Sequence, residues 1–253
     1  MQGANANGST MTALTENLER LEDAITEACS KAGRSRKEVE LMAVSKTYPA
    51  ATIAEAAALG LTLFGENRVQ EFALKAPELA PLRDLLGSPI RVHLIGHLQS
   101  NKAMRAVELF DGIDSVDSVR LAERLNDAAG KCGKQLPILL EVKLSPEETK
   151  AGLDPRSDEA SQLLERLPNL KNLQPRGLMT IAPWGVPEVE TRACFRALRT
   201  WRDRWAAAHA RLTLDVLSMG MSGDFALAIE EGATRIRIGT ALFGKRSPYT
   251  GPA

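Results

Sequence analysis

The chain has 253 residues, with 32 basic and 32 acidic side chains, so its formal net charge is zero. Balanced charge argues against a protein that binds nucleic acid or an anionic membrane surface, because both tasks need an excess of lysine and arginine. The sequence has no apolar run long enough to span a membrane. Its three cysteines lie far apart without CxxC spacing, so we expect no disulfide framework and a cytoplasmic protein.

Apolar residues along the chain alternate between helical and strand spacing. Strands are predicted over 39–46, 61–66, 91–96, 112–118, 136–143, 175–182, 214–220 and 234–244. Helices are predicted over 11–32, 51–60, 67–79, 100–110, 119–131, 157–166, 188–211 and 224–232. Seven of the eight strands are thus followed by a helix, and the helix at 11–32 is available as the eighth.

Strands that alternate with helices indicate parallel βαβ units, and eight units favour a single closed (β/α)₈ TIM barrel with an extra N-terminal helix. An open doubly wound sheet is the alternative, but no GxGxxG motif follows the first strand. We expect residues 1–10 to form a disordered tail, because they combine polar and small residues without an apolar core. Residues 11–246 then form the barrel domain and 247–253 a C-terminal tail.

The first strand ends in Ser45-Lys46-Thr47, at the end of the barrel where active sites lie. Side-chain alternation places Lys46 on the same face as Met42 and Val44. If that face is the barrel interior, Lys46 enters the mouth, where burial lowers the pKa of its amine as a Schiff-base lysine requires. A lysine that extends from a strand end into solvent explains the segment equally well.

Asn67, after the second strand, is a candidate ligand contact. With Gln70 it also has the spacing of a helix capping box, and we favour capping as the role of its side chain. On the fifth strand, Glu141 and Lys143 share a face. If that face is inward, Glu141 needs a partner, and a structural ion pair is expected.

Two histidines belong to the third strand and the loop after it. His93 sits in an apolar strand and is expected to be a buried, hydrogen-bonded core histidine. His97 follows in the loop and is a candidate pocket residue. Neither has companions at metal-ligand spacing, so no metal site is expected.

The ends of strands seven and eight carry the strongest local pattern. Small residues, including Ser222 and Gly223, precede a helix and expose backbone N–H groups that favour an anion. Arg235 and Arg237 alternate onto one face of the last strand, and Gly239 leaves room for a ligand. In such barrels phosphate commonly binds at these two loops, so we expect a phosphate site. In the alternative, Ser222 and Gly223 only cap the helix.

Barrel closure places the last strand beside the first, so Arg237 and Lys46 become neighbours at the mouth. A reactive lysine, a phosphate site and an inward arginine then share one pocket. A phosphorylated aldehyde held as a Schiff base uses all three, and pyridoxal 5′-phosphate is the obvious candidate.

Five segments, in this order, closely resemble the pyridoxal phosphate homeostasis protein family: AVSKTYP, FGENRVQE, HLIGHLQSNK, GLMTIAP and LSMGMSGDFALAIEEGATRIRIGTALFG. The resemblance covers about residues 11–246. It implies a barrel similar to that of bacterial alanine racemase and to the N-terminal domain of eukaryotic ornithine decarboxylase.

The resemblance also implies a role for individual residues. Lys46 forms the Schiff base, Arg237 faces the pyridine nitrogen, and His97 departs from the proline that is common in bacterial members. The remaining implied cofactor contacts fall into two groups: Ser222, Gly239 and Thr240 at the phosphate, and Asn67 and Met219 near the ring.

For function, the resemblance implies buffering of pyridoxal phosphate or its delivery to apo-enzymes, without catalytic turnover. Balanced charge and the lack of long apolar heptads favour a monomer. An arginine at the pyridine nitrogen opposes ring protonation, and no second domain is evident to supply a racemase's second base. The alternative is a weak amino-acid racemase-like enzyme that uses Tyr249, His97 or water as that base. A sugar-phosphate enzyme is a third reading, which leaves Lys46 idle or makes it an aldolase-type lysine.

Overall fold

The structure, a computed structural model, describes residues 12–85, 90–144 and 151–244. Eight parallel strands pair in sequence order and close into a barrel through contact of the first strand with the last. This confirms the predicted (β/α)₈ fold, whereas the tails expected at 1–10 and 247–253 lie outside the described residues. The strands are β1 Glu40–Val44, β2 Leu63–Glu66, β3 Arg91–Leu94, β4 Gly112–Val116, β5 Leu136–Glu141, β6 Leu173–Met179, β7 Val216–Ser218 and β8 Arg235–Ile238.

Helices surround the barrel and connect successive strands. They are α1 Ala13–Lys31, α2 Ala50–Ala58, α3 Val69–Leu85, α4 Ala103–Leu109, α5 Val119–Lys131, α6 Asp158–Arg166, α7 Glu188–Ala208, α8 Phe225–Glu230 and α9 Thr240–Phe243. Short 3₁₀ helices cover Arg36–Glu38, Ser100–Lys102 and Leu167–Asn169. In the described ranges, no helix is both long and apolar enough to cross a bilayer.

Two predicted element ends are wrong by six residues each. The helix expected to end at residue 79 continues through Pro77 and Pro81 to Leu85, although each proline removes a backbone donor from the helix interior. The last strand was expected to run to residue 244, but β8 stops at Ile238, and Gly239 precedes the single helical turn of α9. The barrel therefore has its own short eighth helix, and the additional helix α1 packs against α8 and α9.

The two faces of each strand bury different kinds of side chain. Ile236 and Ile238 of β8 join the apolar core between strands and helices, as alternation predicted. The opposite face of β8 places Arg235 and Arg237 inside the barrel, both buried. The barrel interior is thus unusually polar, and its charged groups form two levels along the axis.

The deeper level, here called the lower charged layer, consists of Glu40, Arg91, His93, Asp114 and Arg235. Arg235 binds Glu40 through two nitrogens at 2.9 and 2.8 Å, and a third nitrogen donates to Asp114 Oδ2 at 3.0 Å. Arg91 donates to the other Glu40 oxygen at 2.8 Å. His93 Nδ1 lies 2.8 Å from Asp114 Oδ1, which confirms the expected buried, hydrogen-bonded histidine.

Candidate binding pocket

A cavity of about 940 Å³ opens at the carboxyl ends of the strands. Residues from β1, β2, β3 and β5 to β8, or from the loops after them, line it. Six of the seven residues predicted as cofactor contacts lie on its wall: Lys46, Asn67, Ser222, Arg237, Gly239 and Thr240. The seventh, Met219, is fully buried in the apolar core, and Met221 lines the cavity instead. The fold therefore gathers most of the predicted set, which is scattered over the sequence, in one place.

Lys46 is held on a backbone segment of unusual geometry. The next residue, Thr47, has φ +70°, a left-handed conformation that is costly for a β-branched side chain. Its N–H donates to Glu71 Oε1 at 2.6 Å. Such a conformation persists only where the surroundings hold it in place, so the position of Lys46 depends on what anchors Glu71.

That anchor is a buried ion cluster behind the pocket wall, formed by Glu66, Glu71 and Lys75. Lys75 Nζ lies 2.9 Å from Glu66 Oε1 and 2.7 Å from Glu71 Oε1, and it donates to Ser45 O at 3.1 Å. Burial raises the pKa of Glu66. Burial also acts on Glu71, but hydrogen bonds from Lys75 and the Thr47 N–H hold the pKa of Glu71 below its usual value. The cluster fixes the backbone on both sides of Lys46.

Asn67 reaches the pocket because two loops approach closely. A Cβ on Gly96, after β3, would lie 2.2 Å from Asn67 O, so only glycine permits this contact. Helix α3 begins at Val69, so the residue in the capping position is Arg68 and not Asn67. The capping box predicted from Asn67 and Gln70 is therefore wrong by one residue.

Arg237 closes the base of the pocket and is buried. Its Nη1 donates to Ser218 O at 2.7 Å and to Ser218 Oγ at 2.9 Å, while Nη2 donates to Thr180 O at 2.8 Å. These bonds tie the guanidinium to β7 and to the residue that follows β6. Burial lowers the pKa of Arg237, against the attraction of Asp114, Glu141 and Asp224.

The loops after β7 and β8 meet through Ser222, whose Oγ accepts from the Ala241 N–H at 3.2 Å. The residue before α8 is Asp224, which accepts from the Met221 N–H at 2.6 Å. Ser222 therefore joins two loops and does not cap α8, so the capping alternative is wrong for its side chain. Gly220 turns the first loop with φ +91°, where a Cβ would meet Ala228 Cβ at 2.6 Å.

Glu141, the last residue of β5, differs from the expectation. It is 6% exposed and lines the pocket, yet its Oε2 has no hydrogen-bond partner in the part of the chain that the structure describes. The expected ion pair is therefore missing at this oxygen. Burial and the nearby Asp117 raise the pKa of Glu141 to about 7, although Arg237 acts in the opposite direction.

His97 lies on the pocket rim with its Nδ1 3.5 Å from Asp117 Oδ2, and more than half of its side chain is exposed. Among the described residues, no group of three or more His, Cys, Asp or Glu side chains has an arrangement that could hold a metal ion. The pocket wall carries amines, a guanidinium, an imidazole, carboxyl groups and hydroxyls.

Sequence reasoning missed the ion cluster and the isolation of Glu141. A signal for the cluster was present, since Glu71 and Lys75 have the i, i+4 spacing of a helical ion pair and Glu66 is a charge at the end of a strand. Nothing local distinguishes Glu141 from an acid that has a partner.

The family model described as "Alanine racemase, N-terminal domain" matches residues 13–247. A protein of Pseudomonas aeruginosa named pyridoxal phosphate homeostasis protein is 42% identical over 243 residues, which are 96% of this chain and the whole of that protein. The chain belongs to the pyridoxal phosphate homeostasis protein family. The family resemblance read from the sequence motifs is thereby confirmed.

Other family members and solved structures agree. The Aquifex aeolicus protein of the same name is 41% identical, over 91% of this chain and 97% of that protein. PipY of Synechococcus elongatus, solved with pyridoxal phosphate bound, is 47% identical with a TM-score of 0.76, over 87% of this chain and all of that one. Alanine racemase of Streptomyces coelicolor, 19% identical with a TM-score of 0.67 over 92% of this chain and 60% of that one, shares the fold.

Proposed function

We propose that this protein binds pyridoxal 5′-phosphate in the pocket, holds it covalently on Lys46, and buffers it or delivers it to apo-enzymes. The observation that carries the proposal is the meeting of Lys46, Arg237 and the loops after β7 and β8 around one cavity. Support comes from relatives named for pyridoxal phosphate homeostasis and from PipY with the cofactor bound.

The side chains present fit this cofactor. Its aldehyde is the group that condenses with a lysine amine, with loss of water. Lys46 supplies the amine from a backbone held by Glu71. Ser222, Gly239 and Thr240 lie where two loops meet and are proposed to bind the phosphate, since hydrogen bonds to an ionised group are strong.

Arg237 is proposed to face the ring nitrogen and oppose its protonation, because two adjacent cations repel. Asn67 is proposed to lie beside the ring. Met219 belongs to the same proposal through the family resemblance, but its burial in the core makes Met221 the methionine on the cavity wall. A ring kept unprotonated suits a carrier better than a catalyst that needs an electron sink.

We propose a carrier without turnover as the main function, and its relatives are named as homeostasis proteins. A weak racemase-like activity is the second candidate, because His97 lies on the pocket wall as a possible second base. Tyr48 is committed elsewhere: its hydroxyl donates to Gly244 O at 3.0 Å and its ring packs on Phe243. Tyr249, which the sequence offered with His97 and water for that role, lies outside the described residues.

The proposal takes residues 11–246 as one cofactor-binding domain, flanked by tails at 1–10 and 247–253. It also includes a monomeric state and a cytoplasmic location. Transient contact with apo-enzymes is the only macromolecular interaction it requires.

The covalent link is tested by reduction with borohydride after incubation with pyridoxal phosphate, followed by mass spectrometry. We expect one covalently attached cofactor on the wild type and none on Lys46→Ala. Some non-covalent, phosphate-driven binding should persist in Lys46→Ala. Lys143→Ala is the matched control, since Lys143 lines the same pocket, and it should be labelled like the wild type. Equal labelling of Lys46→Ala would contradict the role of Lys46.

Turnover is tested by exchange of the α-proton of L- and D-amino acids in heavy water, followed by NMR, with Lys46→Ala as control. We expect no exchange above that of free pyridoxal phosphate. Exchange that depends on Lys46 would instead establish the racemase-like alternative.

A further inference from the structure

Glu141 is a buried acid at the pocket wall, and the described residues leave its Oε2 without a hydrogen bond. The residue is 6% exposed. An unsatisfied buried carboxyl oxygen is costly, so a group that enters the pocket gains by satisfying it. The same side chain lines the cavity together with Lys46 and Arg237.

Arg237 is the obvious partner, but the hydrogen bonds that the structure gives its guanidinium go elsewhere. Both Nη atoms donate to oxygens of Ser218 and Thr180. Arg237 therefore acts on Glu141 through charge alone. An acid without a bonded cation binds its proton more readily than one in a salt bridge.

The elements packed against Glu141 bring different neighbours to its carboxyl group. On the β4 side, Asp117 repels the carboxylate and raises its pKa. On the β6 side, the paired residue is Met179, which carries no charge. Further ionisable groups on the pocket wall are Lys46, His97, Lys143, Glu188 and Asp224.

We propose that Glu141 contacts the bound ligand directly: its protonated carboxyl donates a hydrogen bond to an acceptor oxygen of the phosphorylated pyridoxal compound, and binding takes up a proton from solvent at this group. The inference rests on the proposed function, which supplies the ligand. A phosphate ester brings about two negative charges near neutral pH. A second negative charge on Glu141, beside Asp117, would oppose its entry.

Affinity for the ligand should weaken as the pH rises. The pKa of Glu141 is near 7 in the free protein, and an anionic ligand raises it further. Binding between those two values therefore consumes a proton. Affinity should fall by about tenfold per pH unit as the pH rises above 7, until the bound form also ionises.

The probe is pyridoxine 5′-phosphate, which carries a hydroxymethyl group instead of the aldehyde and so separates this contact from the reaction at Lys46. Calorimetric titration at pH 6 to 9, in two buffers of different ionisation enthalpy, gives affinity and proton uptake. We expect the wild type to take up a proton when it binds the probe near pH 7.5. Glu141→Gln keeps a hydrogen-bond donor without an ionisable group, so its uptake should be lost and its affinity should be flat above pH 7.

Asp117→Asn is the companion variant and leaves Glu141 intact. Loss of the Asp117 charge should move the midpoint of the affinity profile to lower pH. An unmoved midpoint, or the same proton uptake in Glu141→Gln as in the wild type, would overturn the inference. Failure of the wild type to bind either pyridoxal phosphate or the probe would overturn the proposed function instead.

Discussion

The lower charged layer and the pocket above it both contain buried charged side chains. They differ in whether those side chains have hydrogen-bond partners. In the lower layer, Asp114 binds both His93 and Arg235, and Arg235 also binds Glu40. At the pocket, Glu141 Oε2 has no partner in the described residues. The buried ions of the lower layer satisfy one another, whereas the unpartnered oxygen of Glu141 is where we propose that a ligand completes the hydrogen bonding.

Asp114→Asn should have the largest effect on stability. The variant leaves Arg235 with a weaker partner in a buried site, so we expect a loss of about 3–5 kcal/mol in the free energy of unfolding. Chemical denaturation measures it, and Asp127→Asn on the exposed face of α5 is the matched control. A loss below about 1 kcal/mol would contradict a stabilising role for the lower charged layer.

The pH dependence of this contribution has a defined sign. Burial opposes ionisation of Asp114, but His93 and Arg235 hold its pKa below the usual value. Its stabilisation is therefore fully present above the unfolded-state pKa near 4 and is lost as the pH falls through the lower folded-state value. The difference between wild type and Asp114→Asn should shrink on acidification.

Lys75→Met tests the ion cluster that holds Lys46 and should cost about 3 kcal/mol, since it leaves Glu66 buried without its cation. The rate of borohydride-trapped labelling at Lys46 should also fall, because Glu71 loses the anchor that fixes Thr47. In a double-mutant cycle, Glu66→Gln should restore part of the stability. Additive losses would show that the two residues do not interact.

Glu141→Gln should raise the free energy of unfolding, whereas Asp114→Asn should lower it. The folded-state pKa of Glu141 is about 7, above its unfolded value, so wild-type stability falls as the pH rises from about 4.5 through 7. In the ligand-free protein the variant should gain about 1–3 kcal/mol at pH 8 and almost nothing at pH 4. Denaturation at both pH values measures this, and equal effects at the two would refute an isolated acid.

Ser222→Ala should have the smallest effect on stability. Its hydroxyl accepts one hydrogen bond at an exposed loop junction, so we expect a loss of about 0.5–1 kcal/mol. Affinity for pyridoxal phosphate should fall about tenfold, the size of one charge-assisted bond. Ser161→Ala, on exposed α6, is the control. Unchanged affinity would remove Ser222 from the proposed phosphate contacts.

Much of the architecture was predictable because its signals are local. Strand and helix spacing predicted the eight-stranded barrel, and alternation along β8 correctly placed Arg235 and Arg237 inside it. Errors arose where a neighbouring segment decides the outcome. Helix α3 starts one residue later than the Asn67 capping box requires, and Glu141 Oε2 lacks the expected partner among the described residues.

The sequence by itself determined the order of strands and helices and the strand ends that carry Lys46, Ser222 and Arg237, because these depend on local periodicity and residue type. The tertiary structure alone decided which buried charges have partners. Asp114 and Glu141 are both acids within apolar strands, and nothing in their neighbourhood along the chain distinguishes them. Arg235, which binds Asp114, lies 121 residues away along the chain, so only barrel closure pairs Asp114 with it and leaves Glu141 at the pocket with Oε2 unpartnered among the described residues.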